Sequence, residues 1–162
     1  CLLSRGLGDV YKRQTFKSAV GYTVDDSASD TYILTEPASA VRDGYPCVIT
    51  LQVTPITSNY AAKDVQTDLA NYLKNLGAQY PTKWETWKAA SKKLAGGTGY
   101  YNNYRGVMSD GTIVRGRVHM AIIGNNKLLT LHITCPGWYN SSYMKIYDNI
   151  YSSIKALSLI HI

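Results

Sequence analysis

The stretch IVRGRVHMAIIGNNKLLTLHITCP holds two long β-prone runs that meet at Asn125-Asn126. Asparagine tolerates the positive φ of a tight hairpin turn, so the two runs are expected to fold back on each other in an antiparallel sheet. A two-residue turn sets the register: Ile123 faces Leu128, Ile122 faces Leu129, Met120 faces Leu131 and Val118 faces Ile133. These pairs are all apolar. The opposite face then aligns His119 with His132 and places Arg117 beside Thr134, with Arg115 further along. A second turn at Asp110-Gly111 adds Asn102 opposite His119 and Tyr104 opposite Arg117. The expected candidate binding site is therefore one polar cluster of Asn102, Tyr104, Arg115, Arg117, His119 and His132. The same register puts Asn103 and Arg105 on the apolar face, which points to a bulge.

Upstream, VGYTV and TYILTE flank the turn-rich DDSASD and read as a hairpin, and CVITLQVTP alternates as a third strand ending at Pro55. Val65, Leu69, Tyr72, Leu73 and Leu76 recur at helical spacing, with Ser58 or Asn59 available as cap and Gly77 as stop. Tyr143, Ile146, Tyr147, Ile150 and Ile154 form a second helical stripe. Residues 83–94 fit either a helix or a strand. The order is β-β-β-α-β-β-β-α, an α+β class in which an α/β/α sandwich is built on a six-stranded, mainly antiparallel sheet.

Near its start the chain reads SRGLGDVYKRQ, basic, glycine-punctuated and without either hydrophobic period. Residues 4–14 read as an in-frame translated sequencing adapter, and 157–162 as its reverse complement, so residues 1–14 and 157–162 are expected to be non-native tails around a single domain at 15–156. Without them 14 Lys and Arg face 10 Asp and Glu, a net charge of +4 rather than the +6 of the whole chain. That modest excess, with carboxylates spread through the chain and no nucleic-acid-binding pattern, argues against a nucleic-acid partner. No apolar run approaches the ~20 residues that cross a bilayer. The adapter lies where upstream coding sequence would be, so a leader peptide is neither indicated nor denied.

The polar cluster offers limited chemistry. A zinc site needs three or four ligands, and no cysteine or carboxylate is expected beside His119 and His132, so no metal is expected. No nucleophile stands at recognisable spacing for acid–base catalysis, and no catalytic residue is assigned. The GGTG of Gly96–Gly99 lacks the ending of a phosphate loop and the third glycine of a dinucleotide fingerprint, so no cofactor is expected. Lys88, Lys92 and Lys93 beside Trp84 and Trp87 read as a solvated face. Cys47 and Cys135 both lie near strand ends; a disulfide and two free core thiols remain equally open.

The run LAGGTGYYNNYRGVMSDGTIVRGRVHMAIIGNNKLLTLHITCPGWYNSSYMKIYDNIYSSIKAL resembles the C-terminal half of the PsbP-like and Mog-like α/β/α sandwich families: a glycine-led strand, two more strands, an LTLHITCP-type strand and a final helix ending in an SIK-like segment. The resemblance implies a non-enzymatic extracytoplasmic binding or accessory domain, secreted or lipid-anchored, whose partner is a protein or envelope component. Two alternatives stand beside it. One is a metal-dependent or acid–base enzyme using His119, His132 and Arg117; the other is an intracellular protein-binding regulator. The fold has served several roles and does not choose among them.

Overall fold

The computed structural model describes residues 2–5, 14–19, 21–41, 44–124, 126–136 and 141–156. Its strands are β1 (Leu2–Arg5), β2 (Gln14–Ala19), β3 (Thr23–Asp25), β4 (Thr31–Thr35), β5 (Val48–Pro55), β6 (Lys83–Thr86), β7 (Ala90–Ser91), β8 (Gly99–Val107), β9 (Ile113–Ile123), β10 (Lys127–Pro136) and β11 (Lys155–Ala156). The helices are α1 (Ala62–Gly77) and α2 (Ser141–Ser153). The main sheet has eight strands in the order β3-β4-β5-β10-β9-β8-β6, with β7 also paired to β8, and all its pairings are antiparallel. A separate sheet joins β1, β2 and β11.

The α+β class holds, but the sheet has eight strands where six were expected. The difference comes from 83–94, which forms two short edge strands, β6 and β7, against β8. Trp84 and Trp87 fit a helical stripe, and the flanking sequence fits a strand equally. In the fold Trp84 instead stacks between Tyr80 and Tyr104, with ring centroids 5.4 and 4.9 Å away.

The central hairpins depart from the expected register by one residue. Ile123 pairs with Lys127, Leu131 with His119 and His132 with Val118. The β8–β9 pair is shifted the same way, with Tyr101 opposite His119 and Asn103 opposite Arg117. The cause is the turn type. In the β8–β9 connection Met108 N–H donates to the Thr112 carbonyl at 2.8 Å and Gly111 N–H to the Met108 carbonyl at 2.9 Å, closing a three-residue loop whose last member, Gly111, has φ +88°. In the β9–β10 connection the ladder resumes at Lys127, and Asn126 has φ +54°. A three-residue hairpin needs a left-handed residue only at its third position, whereas the two-residue turn read from sequence needs two. Because side chains alternate faces, this one-residue slip sends His119 and His132 to opposite sides of the sheet. No bulge is then needed for Asn103 and Arg105: both simply belong to the His119 face.

One helix covers each face. Val65, Leu69 and Leu73 of α1 pack on Tyr104, Val118, Met120 and Leu128. Tyr143, Tyr147 and Ile150 of α2 pack on the side that carries Ile49, Leu51, Ala121, Leu131 and Ile133. The start of α1 is not capped by Ser58 or Asn59, since the Asp64 carboxylate accepts the Ala61 N–H at 2.7 Å from within the first turn. Glu36, after β4, accepts the Cys47 N–H at 2.8 Å and the Tyr143 hydroxyl at 3.2 Å, tying α2 to the β4–β5 edge.

Candidate functional site

The six expected site residues do not form one cluster. Asn102, Tyr104 and His132 project toward α1, while Arg115, Arg117 and His119 project toward α2.

On the α1 side His132 is closed in by hydroxyls. The Tyr72 hydroxyl lies 2.9 Å from Nδ1, the Tyr104 hydroxyl 2.7 Å from Nε2, and Thr134 Oγ1 is 2.6 Å from the Tyr104 oxygen. Tyr104 can lie flat across the sheet because its cross-strand partner is Gly116: a Cβ there would come within 2.3 Å of the tyrosine hydroxyl and of the Ile133 carbonyl. Burial drives the His132 pKa down to about 4, so the ring is neutral at pH 7. Asn102 is committed too, its amide donating to the Trp87 carbonyl. Every polar group in this cluster has an internal partner, which is the condition for burying it at low cost.

On the α2 side His119 is fully buried, with Nε2 2.8 Å from the Lys92 carbonyl and Nδ1 2.8 Å from the Tyr147 hydroxyl. A carbonyl only accepts, so Nε2 carries the proton and Nδ1 accepts from Tyr147. Burial pushes this pKa down to about 4 as well, with the Lys92 and Arg117 charges acting in the same direction. Lys92 itself lies 4.5 Å from the Tyr151 ring centroid; its cation is spent on α2 and does not form a basic patch with the tryptophans.

The arginines are arranged differently. Arg117 is held between the Tyr101 and Tyr147 rings, its Cζ 4.3 and 5.0 Å from their centroids, and Nε donates to Asn103 Oδ1 at 2.7 Å. Arg115 sits directly opposite Arg105 on β8 and Cys135 on β10. Arg105 reaches Glu85 at 3.5 Å, and Glu85 is shared with Lys83 at 3.0 Å. Among the described residues neither Arg115 nor Arg117 has a carboxylate within ion-pair reach, and the Nε of Arg115 is buried without an acceptor. Both arginines line a cleft of about 310 Å³ together with Trp87, Asn103, Ile133, Cys135 and Met144. This cleft is the candidate site.

Thr134 pairs with Val48, which brings Cys135 beside Cys47 at the ladder's end. Both are buried free thiols, and burial pushes them up to about 12 for Cys47 and about 11 for Cys135, so neither is a ready nucleophile. Among the described residues no group of three His, Cys, Asp or Glu side chains is gathered as a metal site. Asn103, Trp87 and Met144 are site residues that sequence reasoning missed. Asn103 carried a signal, because its conflict with the apolar face marked the wrong register.

No family model matches the chain, and no curated protein sequence matches it. Solved structures do. LpqN, described as involved in cell envelope biogenesis of Mycobacterium tuberculosis, superposes with a TM-score of 0.72 at 13% identity, over 96% of this chain and 90% of that one. Cyanobacterial PsbP (CyanoP) from Synechocystis gives 0.66 at 15% identity, over 96% and 92%. The Saccharomyces cerevisiae Ran-binding protein Mog1p gives 0.61 at 9% identity, over 97% of both chains. At such identities the likeness shows the fold, which is of the PsbP and Mog type. Among the described residues no helix is long and apolar enough to cross a membrane.

Proposed function

We propose that this is a non-enzymatic binding or accessory domain whose binding face is the Arg115–Arg117 cleft, acting outside the cytoplasm on a protein or envelope component. The observation that carries this reading is the division of labour between the faces. Both histidines have their two ring nitrogens occupied by structural partners, so neither is poised to move a proton or take a metal. The arginines, in contrast, bring positive charge that no carboxylate among the described residues neutralises to an open concavity with apolar walls. A structural neighbour involved in envelope biogenesis and another that binds Ran are consistent with a fold used for recognition. Residues 15–156 constitute the domain in this reading, and the flanking tails take no part in it.

Immobilised protein tests the reading. An envelope extract of the source organism should yield a component that the wild-type chain retains and an Arg117→Glu chain that still melts cooperatively releases. Equal retention by both would remove the cleft from the binding face. Reading the coding sequence upstream of residue 15 tests location: a cleavable or lipid-accepting leader supports it, and an immediate start codon overturns it.

A further inference from the structure

Three guanidinium groups lie close together at the β8–β9 rows, and among the described residues a single carboxylate answers them. Arg105 and Arg115 are direct cross-strand partners, an arrangement that repels unless each charge is balanced. Glu85 balances Arg105 and is already shared with Lys83. Arg115 is left over, with a buried Nε that donates to nothing among the described residues. The guanidinium itself lines the cleft without a counter-ion among the described residues, and a carboxylate brought by a ligand supplies one.

The surroundings restrict what that acceptor is. The wall beside Arg115 is Ile133, Cys135 and Met144, with Trp87 at the rim, half exposed at 51%. The other polar side chains of fixed orientation among the described residues at the cleft are all engaged: Arg117 is clamped between two tyrosine rings, Asn103 is spent on Arg117, and the Tyr104 hydroxyl is held by His132 and Thr134. A phosphate would demand many donors around three oxygens and would leave the apolar wall unused. A guanidinium fork matches the two oxygens of a carboxylate, and the wall matches an apolar body behind it. About 310 Å³ admits a body of roughly ring size and lies at the small end of the range for ligand clefts. We infer that the cleft binds a terminal carboxylate carried on an apolar body, with Arg115 as the anchor and Arg117 as the second cation. This rests on the proposal that the cleft is the binding face, and it adds the ligand class.

The test uses the full chain, 4-phenylbutyrate as probe and Trp87-sensitive fluorescence backed by calorimetry, at low salt. Saturable binding is expected, weakened at least about tenfold when the probe is 4-phenylbutan-1-ol, which has the same body and no charge. Arg115→Met should weaken the acid by a similar factor without lowering the melting temperature, and inorganic phosphate should compete poorly. N-acetyl-diphenylalanine presents the same group as a peptide end; tighter binding than 4-phenylbutyrate assigns the carboxylate to a chain terminus, and weaker binding assigns it to a free acid. The inference is overturned if the alcohol or phosphate binds as well as the acid, if Arg115→Met binds unchanged, or if no saturation occurs by about 10 mM. Failure here alongside retained, Arg117-dependent capture of an envelope component would discard the ligand class and leave the binding face standing.

Discussion

The two faces of the sheet hold the same ingredients, a buried histidine with tyrosine hydroxyls, and differ in what lies beside them. On the α1 face the network around His132 is closed: Tyr72, Tyr104 and Thr134 satisfy one another and the imidazole. On the α2 face His119 is equally closed, but the next residues along β9 toward its start, Arg117 and Arg115, run into a cleft that the protein leaves unfilled. Polar residues that complete each other stabilise a fold; charge left over beside empty space is what a partner can use.

The sharpest way to break this contrast is Tyr104→Ala. It removes a fully buried ring that packs on Trp84 and leaves His132 short of a partner, and should cost about 3–5 kcal/mol by denaturant unfolding. Arg115→Met on the other face should change stability by less than about 0.5 kcal/mol or raise it. Equal losses would erase the distinction between the faces.

Acid provides the next largest effect. Both histidines have native pKa values depressed to about 4, below the ~6.5 of an unfolded chain, so the unfolded state binds more protons between those values. Their contribution is fully present above about pH 6.5 and is lost as pH falls toward 4, by up to about 3 kcal/mol for each ring. Thermal melts from pH 7.5 to 4 check this, and a flat profile would show that the rings titrate normally. Tyr104→Phe is subtler. It keeps the ring, deletes one hydroxyl and leaves Thr134 Oγ1 3.1 Å from His132 Nε2, so a loss of about 1–2 kcal/mol is expected in denaturant melts. The smallest change is expected from shortening the chain to 15–156, which removes β1 and its pairing with β2 but none of the described buried residues on either face of the main sheet, and should leave the melting temperature within a few degrees.

The strands β3, β4, β5, β8, β9 and β10, both helices and the order of these elements were legible because their signals are local, whereas β1, β2, β11 and the edge strands β6 and β7 were not read. The Val65-Leu69-Leu73 stripe and the Tyr143-Tyr147-Ile150 stripe both became the buried sides of helices. The candidate site was less legible, and the reason is a single residue in each turn. Asp110-Gly111 and Asn125-Asn126 suit either a two-residue or a three-residue loop, and the choice decides which face every following side chain occupies. The expected apolar face of Val118, Met120 and Ile122 did form, against α1, but its counterpart across β10 is Leu128, Thr130 and His132, not Leu129, Leu131 and Ile133. Both faces are buried, so hydrophobicity along β10 could not report the slip; Asn103 and Arg105 were the only residues that protested. Residues 83–94 stayed open between helix and strand for a different cause, since two aromatic residues three apart satisfy a helix and also the rim of a sheet edge.

The central claim is that recognition belongs to the Arg115–Arg117 cleft and that the histidine networks are structural. A backbone and indole amide chemical-shift map of the full chain titrated with 4-phenylbutyrate tests it most directly. The account expects the largest changes at Arg115, Gly116, Arg117, Ile133 and the Trp87 indole, with Tyr72 and Thr134 on the other face unmoved. Changes centred on His132, Tyr72 and Thr134 would contradict it and return the search to the α1 face.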